Sequence, residues 1–342
     1  MKLTFTRILT VAACLLLFSQ CNSNKKEKLV IYSPHGKELL SEFEKSFETK
    51  NPNIDIQWLD MSSQQVFDRI SNESKNPQAD IWWGAPATMF TRAEKSGLLE
   101  QYKPTWADQI PASAKSKNDF WYGTFSTPQV IAFNSNKITA DKAPKDWNEI
   151  VGPSWKGKVV LRNPMASGTL RAIFSAMLEQ SIKRTGKEDE GWNWLKMLDT
   201  NTAIYTADPT QMYAKLGGDA EVVTIWNMPD IELQKNKNKY PFGYVFPQNG
   251  TVVLTDGIAI VKGTKHLALA KEFYEFVTSK ESLITQAEKF YRIPSRTDME
   301  KDKLPNWLKT ANYSALDVNW DIIAEKEAEW MKKWDNEVHT KN

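Results

Sequence analysis

Short apolar runs of strand length alternate with stretches whose apolar residues recur at helical spacing, and this alternation constrains the fold more than any other feature. Leu29-Val30-Ile31-Tyr32 is wholly apolar, as expected of a strand buried on both faces. Ser33-Pro34-His35-Gly36 breaks it, and Leu39, Leu40, Phe43 and Phe47 then mark one face of a helix. Asn51-Pro52-Asn53 stops that helix, and Ile54, Ile56 and Trp58 alternate like a second strand. A second unit follows: a helix around Val66 to Ser74, the strand Ala79-Asp80-Ile81-Trp82-Trp83, the break Gly84-Ala85-Pro86 and a helix from Met89 to Lys95. Strands and helices in this order predict an open, mostly parallel sheet. Ligands of such sheets sit beyond the carboxyl ends of the strands, which nominates the loops Ser33 to Gly36, with Ser33 and His35, and Gly84 to Pro86, with Gly84. Trp82 and Trp83 alternate across their strand, so one is expected in the core and the other, Trp83, as an aromatic floor for a ligand.

The pattern resumes after Phe120 to Asn134, a segment too rich in β-branched and aromatic residues for a helix. Strands are expected at Val159 to Leu161, Thr202 to Tyr205 and Val222 to Trp226, with helices at Glu188 to Leu198 and Thr210 to Leu216. Asp256 precedes Gly257 and is read as a turn former. Beyond it lie a strand, Ile258 to Val261, and a helix from Leu267 to Thr278. The helical segment after residue 312, rich in Trp and charge, is read as a brace. With 342 residues the chain is long enough for two lobes, each with its own core. Its 44 Lys and Arg nearly balance 42 Asp and Glu and are spread along the chain, so no nucleic-acid partner is expected.

The N-terminus reads as a secretory signal. Lys2 and Arg7 precede the uncharged stretch Ile8 to Ser19, which is too short for a permanent membrane span, and polar residues follow Cys21. The chain has two cysteines, Cys14 and Cys21, so cleavage before Cys21 leaves a single thiol and no internal disulfide. This arrangement resembles a bacterial lipoprotein, and it implies a signal peptide over 1–20, a lipidated Cys21, a linker over 21–27 and attachment to a membrane through lipid alone; cleavage before Cys14, after Val11-Ala12-Ala13, and a plain secreted protein are the alternatives.

One stretch has an unusual charge pattern. Arg162 to Met177 (RNPMASGTLRAIFSAM) starts a helix through Ser167-Gly168-Thr169 and carries Arg171 in the first turn, where an acid would complement the dipole. Free backbone N–H groups, hydroxyls, a glycine and a cation together suit an anion. A plain Ser or Thr cap is the structural alternative.

Six landmarks in order resemble the periplasmic substrate-binding proteins of ABC importers, in the group of ferric-ion and sugar-phosphate binders. They are LVIYS; NPQADIWWGAP; Gly97-Leu98-Leu99-Glu100 with Tyr102; TPQVIAFN; DWNEIVGPSWKGKVVLRNPMASGT; and DGIAIVKGTKHLALAKEFYEFVTS. The resemblance implies an α/β two-lobed fold with mixed, mostly parallel sheets and a hinge of crossing strands near 126–131 and 253–258. It implies one lobe from 28–127 with 254–295 and another from 128–253 with 296–342. Asn227 and Asp230 would line the cleft, with Tyr205 a further candidate. The tyrosine pair of ferric binders is replaced by Asn227-Met228-Pro229-Asp230, and Ala85 stands where they have a glutamate, so no resident metal and no cofactor is expected. The expected function is a monomeric, membrane-tethered receptor that passes a small anionic solute, a phosphate ester among the candidates, to an ABC permease. A ferric receptor using a synergistic anion or a chelate is the alternative. Neither a catalytic triad nor a mature cysteine nucleophile is apparent, so an enzyme is not expected.

Overall fold

A computed structural model describes residues 26–339; the expected signal peptide and Cys21 lie outside the described residues. The first half of the fold grows from β1 (Glu27–Ser33), α1 (Lys37–Lys50) and β2 (Ile54–Asp60), followed by α2 (Ser63–Asn72), β3 (Ile81–Pro86), α3 (Ala87–Lys95) and the short β4 (Leu99–Glu100). Strand β1 lies parallel to both β2 and β3. Helix α1 buries Leu39, Leu40, Phe43 and Phe47, the same four residues whose spacing marks it in the sequence. Strand β3 is buried along its whole length because helices cover both faces of the sheet. Trp83 faces the core under α1 and Trp82 the opposite core under α2 and α3.

The long β5 (Tyr122–Asn134) leads into the second half: α4 (Trp147–Ile150), β6 (Val159–Arg162), α5 (Gly168–Thr185), α6 (Asp189–Asn201), β7 (Thr202–Thr206), α7 (Pro209–Leu216), β8 (Val223–Asn227), α8 (Met228–Lys237) and β9 (Phe242–Val245). β6 is parallel to β7 and β8. Helix α5 has twelve buried residues and is packed on all sides, which explains its poor amphipathic pattern. The chain returns through β10 (Val253–Val261) to α9 (Leu267–Val277), α10 (Lys280–Phe290) and β11 (Ile293–Pro294), then passes α11 (Asn306–Thr310) and ends in α12 (Trp320–Lys333). Helix α10 has no counterpart among the sequence expectations.

The main sheet path runs β2-β1-β3-β10-β5-β8-β6-β7. Strand β5 pairs with β10 from Tyr122 to Pro128, and from Gln129 onward it pairs with β8. The two half-sheets therefore share one continuous strand, with β10 antiparallel beside it. Asp256 lies inside β10 at a register shift, so it is a bulge residue in a strand and not a turn former. Helix α12 packs on both α5 and α3 and so braces the two halves. Among the described residues, no helix is long and apolar enough to cross a membrane.

Candidate functional site

Three helix starts meet where the two halves touch. Ser62 caps α2, Pro86 precedes α3 and Ser167 caps α5, its Oγ accepting the Leu170 N–H at 3.3 Å. None of the three has an acid in its first turn. A Cβ on Gly168 would lie 2.9 Å from Pro86 Cδ and from Ser63 Cβ and Oγ, so only glycine lets the second half come this close. The Gln64 N–H donates to the Ala166 carbonyl at 3.4 Å across the same seam. Thr169 is partly buried in the adjoining turn.

Arg171, expected as an anion ligand, is instead engaged by protein groups. Its Nη2 donates to the Met165 carbonyl at 3.0 Å and its Nε to the Pro164 carbonyl at 3.4 Å. Its counter-charge is Glu327 of α12, a buried carboxylate that also receives the Thr88 hydroxyl at 3.3 Å and lies beside Arg92. Burial raises the Glu327 carboxyl above its ordinary range, with Arg171 and Arg92 opposing.

Where the two halves meet, buried side chains from both gather around Tyr213. Trp226 donates its indole N–H to the Tyr213 hydroxyl at 3.0 Å and to Asp230 Oδ2 at 3.1 Å. Asn227 caps α8 by accepting the Asp230 N–H at 2.9 Å, and its Nδ2 donates back to Asp230 Oδ2 at 2.9 Å. From the first half, Arg292 places Nη2 2.9 Å from Asp230 Oδ1 and stacks its guanidinium over Phe125. Arg162, at the end of β6, is the second cation. Burial lowers its pKa, and Asp208, Tyr213 and Asp60 partly compensate. Both arginines are about nineteen-twentieths buried, at 4 % and 5 % exposure, and the Nε of each lacks a hydrogen-bond partner. Burial pushes the Tyr213 hydroxyl well up, reinforced by Asp230, so it stays a neutral phenol.

The first half contributes a drier wall. Ser33 Oγ accepts the His35 N–H at 3.1 Å, which folds the loop after β1. The His35 ring packs against Trp83 and Phe125 and sits over Gly84, where a Cβ would come within 2.5 Å of it. Burial holds His35 neutral, with Arg292 adding to the effect, and its Nε2 has no partner. Gly84 and Ala85 both have positive φ, at 101° and 108°, a backbone that a non-glycine residue adopts only under strain. This kink lets the Ala85 N–H reach the Asp256 carboxylate, which also accepts the Thr127 hydroxyl at 3.1 Å. Burial pushes Asp256 up to about 6 despite Arg292 nearby.

The structure thus gathers Ser33, His35, Gly84, Asn227 and Asp230 where the two halves meet, with Ser167, Gly168 and Thr169 at the seam. Trp83 is fully buried against Phe43 and Phe273, so it supports His35 from the core and forms no open floor. Tyr205 is also apart from the group: its hydroxyl donates to Asp199 at 2.8 Å and its ring packs on Trp334 and His339. Arg162, Tyr213 and Arg292 were missed by sequence reasoning. Arg162 directly precedes the singled-out loop at the carboxyl end of a strand, and that position was the available signal; nothing local marks the other two. Among the described residues, no three His, Cys, Asp or Glu side chains form a metal-ion group.

The model for "Bacterial extracellular solute-binding protein" matches residues 76–326, most of the chain. The chain belongs to this family. The solute-binding protein is 26% identical over 314 residues to a probable ABC transporter periplasmic-binding protein, y4fP, of Sinorhizobium fredii, covering 91% of this chain and 87% of the relative. Among solved structures it resembles the periplasmic binding protein AfuA of Actinobacillus pleuropneumoniae with fructose-6-phosphate bound, at TM-score 0.80, 26% identity and 92% and 99% coverage of the two chains. A ferric binding protein from Campylobacter jejuni matches at TM-score 0.76, 25% identity and 90% and 98% coverage.

Proposed function

We propose that this solute-binding protein is the receptor of an ABC importer and captures a small anionic, phosphate-bearing solute in the crevice between its lobes. The observation that carries this reading is the pair of buried guanidiniums, Arg162 and Arg292, each with a free Nε–H. A buried donor without an acceptor is costly, and two such cations from opposite sides of one crevice call for an oxyanion. Three helix N-termini without first-turn acids add positive potential at the adjoining seam. Asp230, Asn227, Tyr213 and Trp226 would bound the organic part of the solute. The likeness to AfuA, whose structure holds fructose-6-phosphate, supports the same chemistry. Hinge closure would move residues 28–127 with 254–295 against 128–253 with 296–342 about β5 and β10. We assign the receptor to the periplasmic or outer side of a membrane, as a monomer tethered through lipid on Cys21, and assign it no catalytic step.

Titration calorimetry and thermal melting with fructose 6-phosphate, 2-aminoethylphosphonate, inorganic phosphate and ferric salts test the proposal. A cognate phosphorylated solute at about a hundredfold excess over Kd adds roughly 2.7 kcal/mol of stability. No response to any phosphorylated solute, together with retained iron and a visible charge-transfer band, would replace it with the ferric reading that the Campylobacter jejuni likeness offers.

A further inference from the structure

Asp230 has little capacity left for a solute. Its Oδ2 accepts from Trp226 at 3.1 Å, from Asn227 at 2.9 Å and from the Tyr213 hydroxyl at 3.4 Å, while its Oδ1 faces Arg292 Nη2 at 2.9 Å. A carboxylate offers about four lone-pair directions, so these donors nearly saturate it. The donors come from two sides. Tyr213, Trp226 and Asn227 belong to α7 and β8 of the second half-sheet, whereas Arg292 immediately precedes β11, which pairs with Ser126 and Phe125 in the first. The Asp230–Arg292 pair therefore bridges the crevice. It is also well shielded, with side-chain exposures of 20% and 7%. Arg292 is held on its other face by Phe125, 5.1 Å from the ring centroid, and keeps its Nε–H unpaired.

We propose that Asp230 is a positioning residue: it catches the Arg292 guanidinium from the opposite half on closure and fixes it so that the free Nε–H meets the solute's oxyanion. Asp230 then governs affinity without receiving the solute's own hydroxyl groups. The proposal deepens the reading of the crevice as the solute site and rests on it for its binding arm. Its closure arm does not need a solute.

Both arms are tested with three variants of the full chain, Asp230→Asn, Arg292→Met and Arg292→Lys, after circular dichroism and melting establish that each folds. Without solute, small-angle scattering is expected to show a larger radius of gyration for Asp230→Asn and Arg292→Met than for the parent protein. Arg292→Lys keeps a charge for Asp230 and should scatter like the parent, but it has no Nε–H fork to offer. In calorimetry, Asp230→Asn should lose affinity for inorganic phosphate and fructose 6-phosphate by the same factor, about tenfold to a hundredfold. Arg292→Lys should lose affinity for both while staying closed. Unchanged scattering in Asp230→Asn and Arg292→Met overturns the bridge, whatever the solute. A loss confined to fructose 6-phosphate, with inorganic phosphate binding intact, overturns the positioning role in favour of direct contact with sugar hydroxyls. If the parent protein binds neither probe, the functional proposal fails, and the scattering still decides whether Asp230 holds Arg292.

Discussion

Replacing Gly168 with alanine should make the protein no less stable and yet weaken its grip on a solute. Gly168 is the first residue of α5, and its backbone is not in the left-handed region. Within the second lobe the substitution meets no conformational penalty, and alanine is favoured over glycine in a helix by up to about 1 kcal/mol. Across the seam the new Cβ would stand 2.9 Å from Pro86 Cδ and from Ser63 Cβ and Oγ. Pro86 cannot rotate away, and Ser63 Cβ is fixed to backbone, so the lobes must separate by a fraction of an ångström or store the clash. Overpacking of this kind costs about 1–3 kcal/mol, which corresponds to roughly 5- to 140-fold in Kd if closure and binding are coupled. Melting curves and titration calorimetry on the same preparation measure the two effects. A Kd unchanged within twofold would refute the reasoning, because the seam would then have no part in the bound state. A fall in melting temperature with unchanged Kd would mean that the contact matters for folding alone.

Arg162→Met should lower affinity for a phosphate-bearing solute by about tenfold to a hundredfold while leaving the melting temperature unchanged or raised, since burial already disfavours the cation. Calorimetry and melting measure the pair. Asp256→Asn should remove a pH dependence of stability. Its folded-state pKa of about 6 lies above the ordinary 3.8, so the folded state binds the extra proton and stability falls as pH rises from about 4 through 6. The loss is at most roughly 3 kcal/mol, and urea midpoints across that range should show the parent protein declining relative to the variant. Tyr205→Phe keeps the packing on Trp334 and His339 but deletes the hydrogen bond to Asp199. It should cost about 1 kcal/mol in urea unfolding and leave solute affinity unchanged; a tenfold change in Kd would return Tyr205 to the crevice.

By itself, the sequence determined the order of strands and helices, the α/β class and the loops that end near the crevice. These follow from local periodicity: the apolar spacing of α1 needs no distant partner to be read, and the same holds for the alternation in β2 and the breaks at Gly36 and Gly84. Tertiary structure decided which side chains face which space. Trp82 and Trp83 are neighbours with the same local signal, and only the helices packed on each face send both into cores. Arg171 looks like an anion ligand until α12 brings Glu327 beside it from 156 positions later in the chain. Arg162, Tyr213 and Arg292 meet only because β5 and β10 bring the two half-sheets together. A buried cation is an ordinary arginine in sequence; its missing partner becomes visible only when the surrounding protein has excluded water.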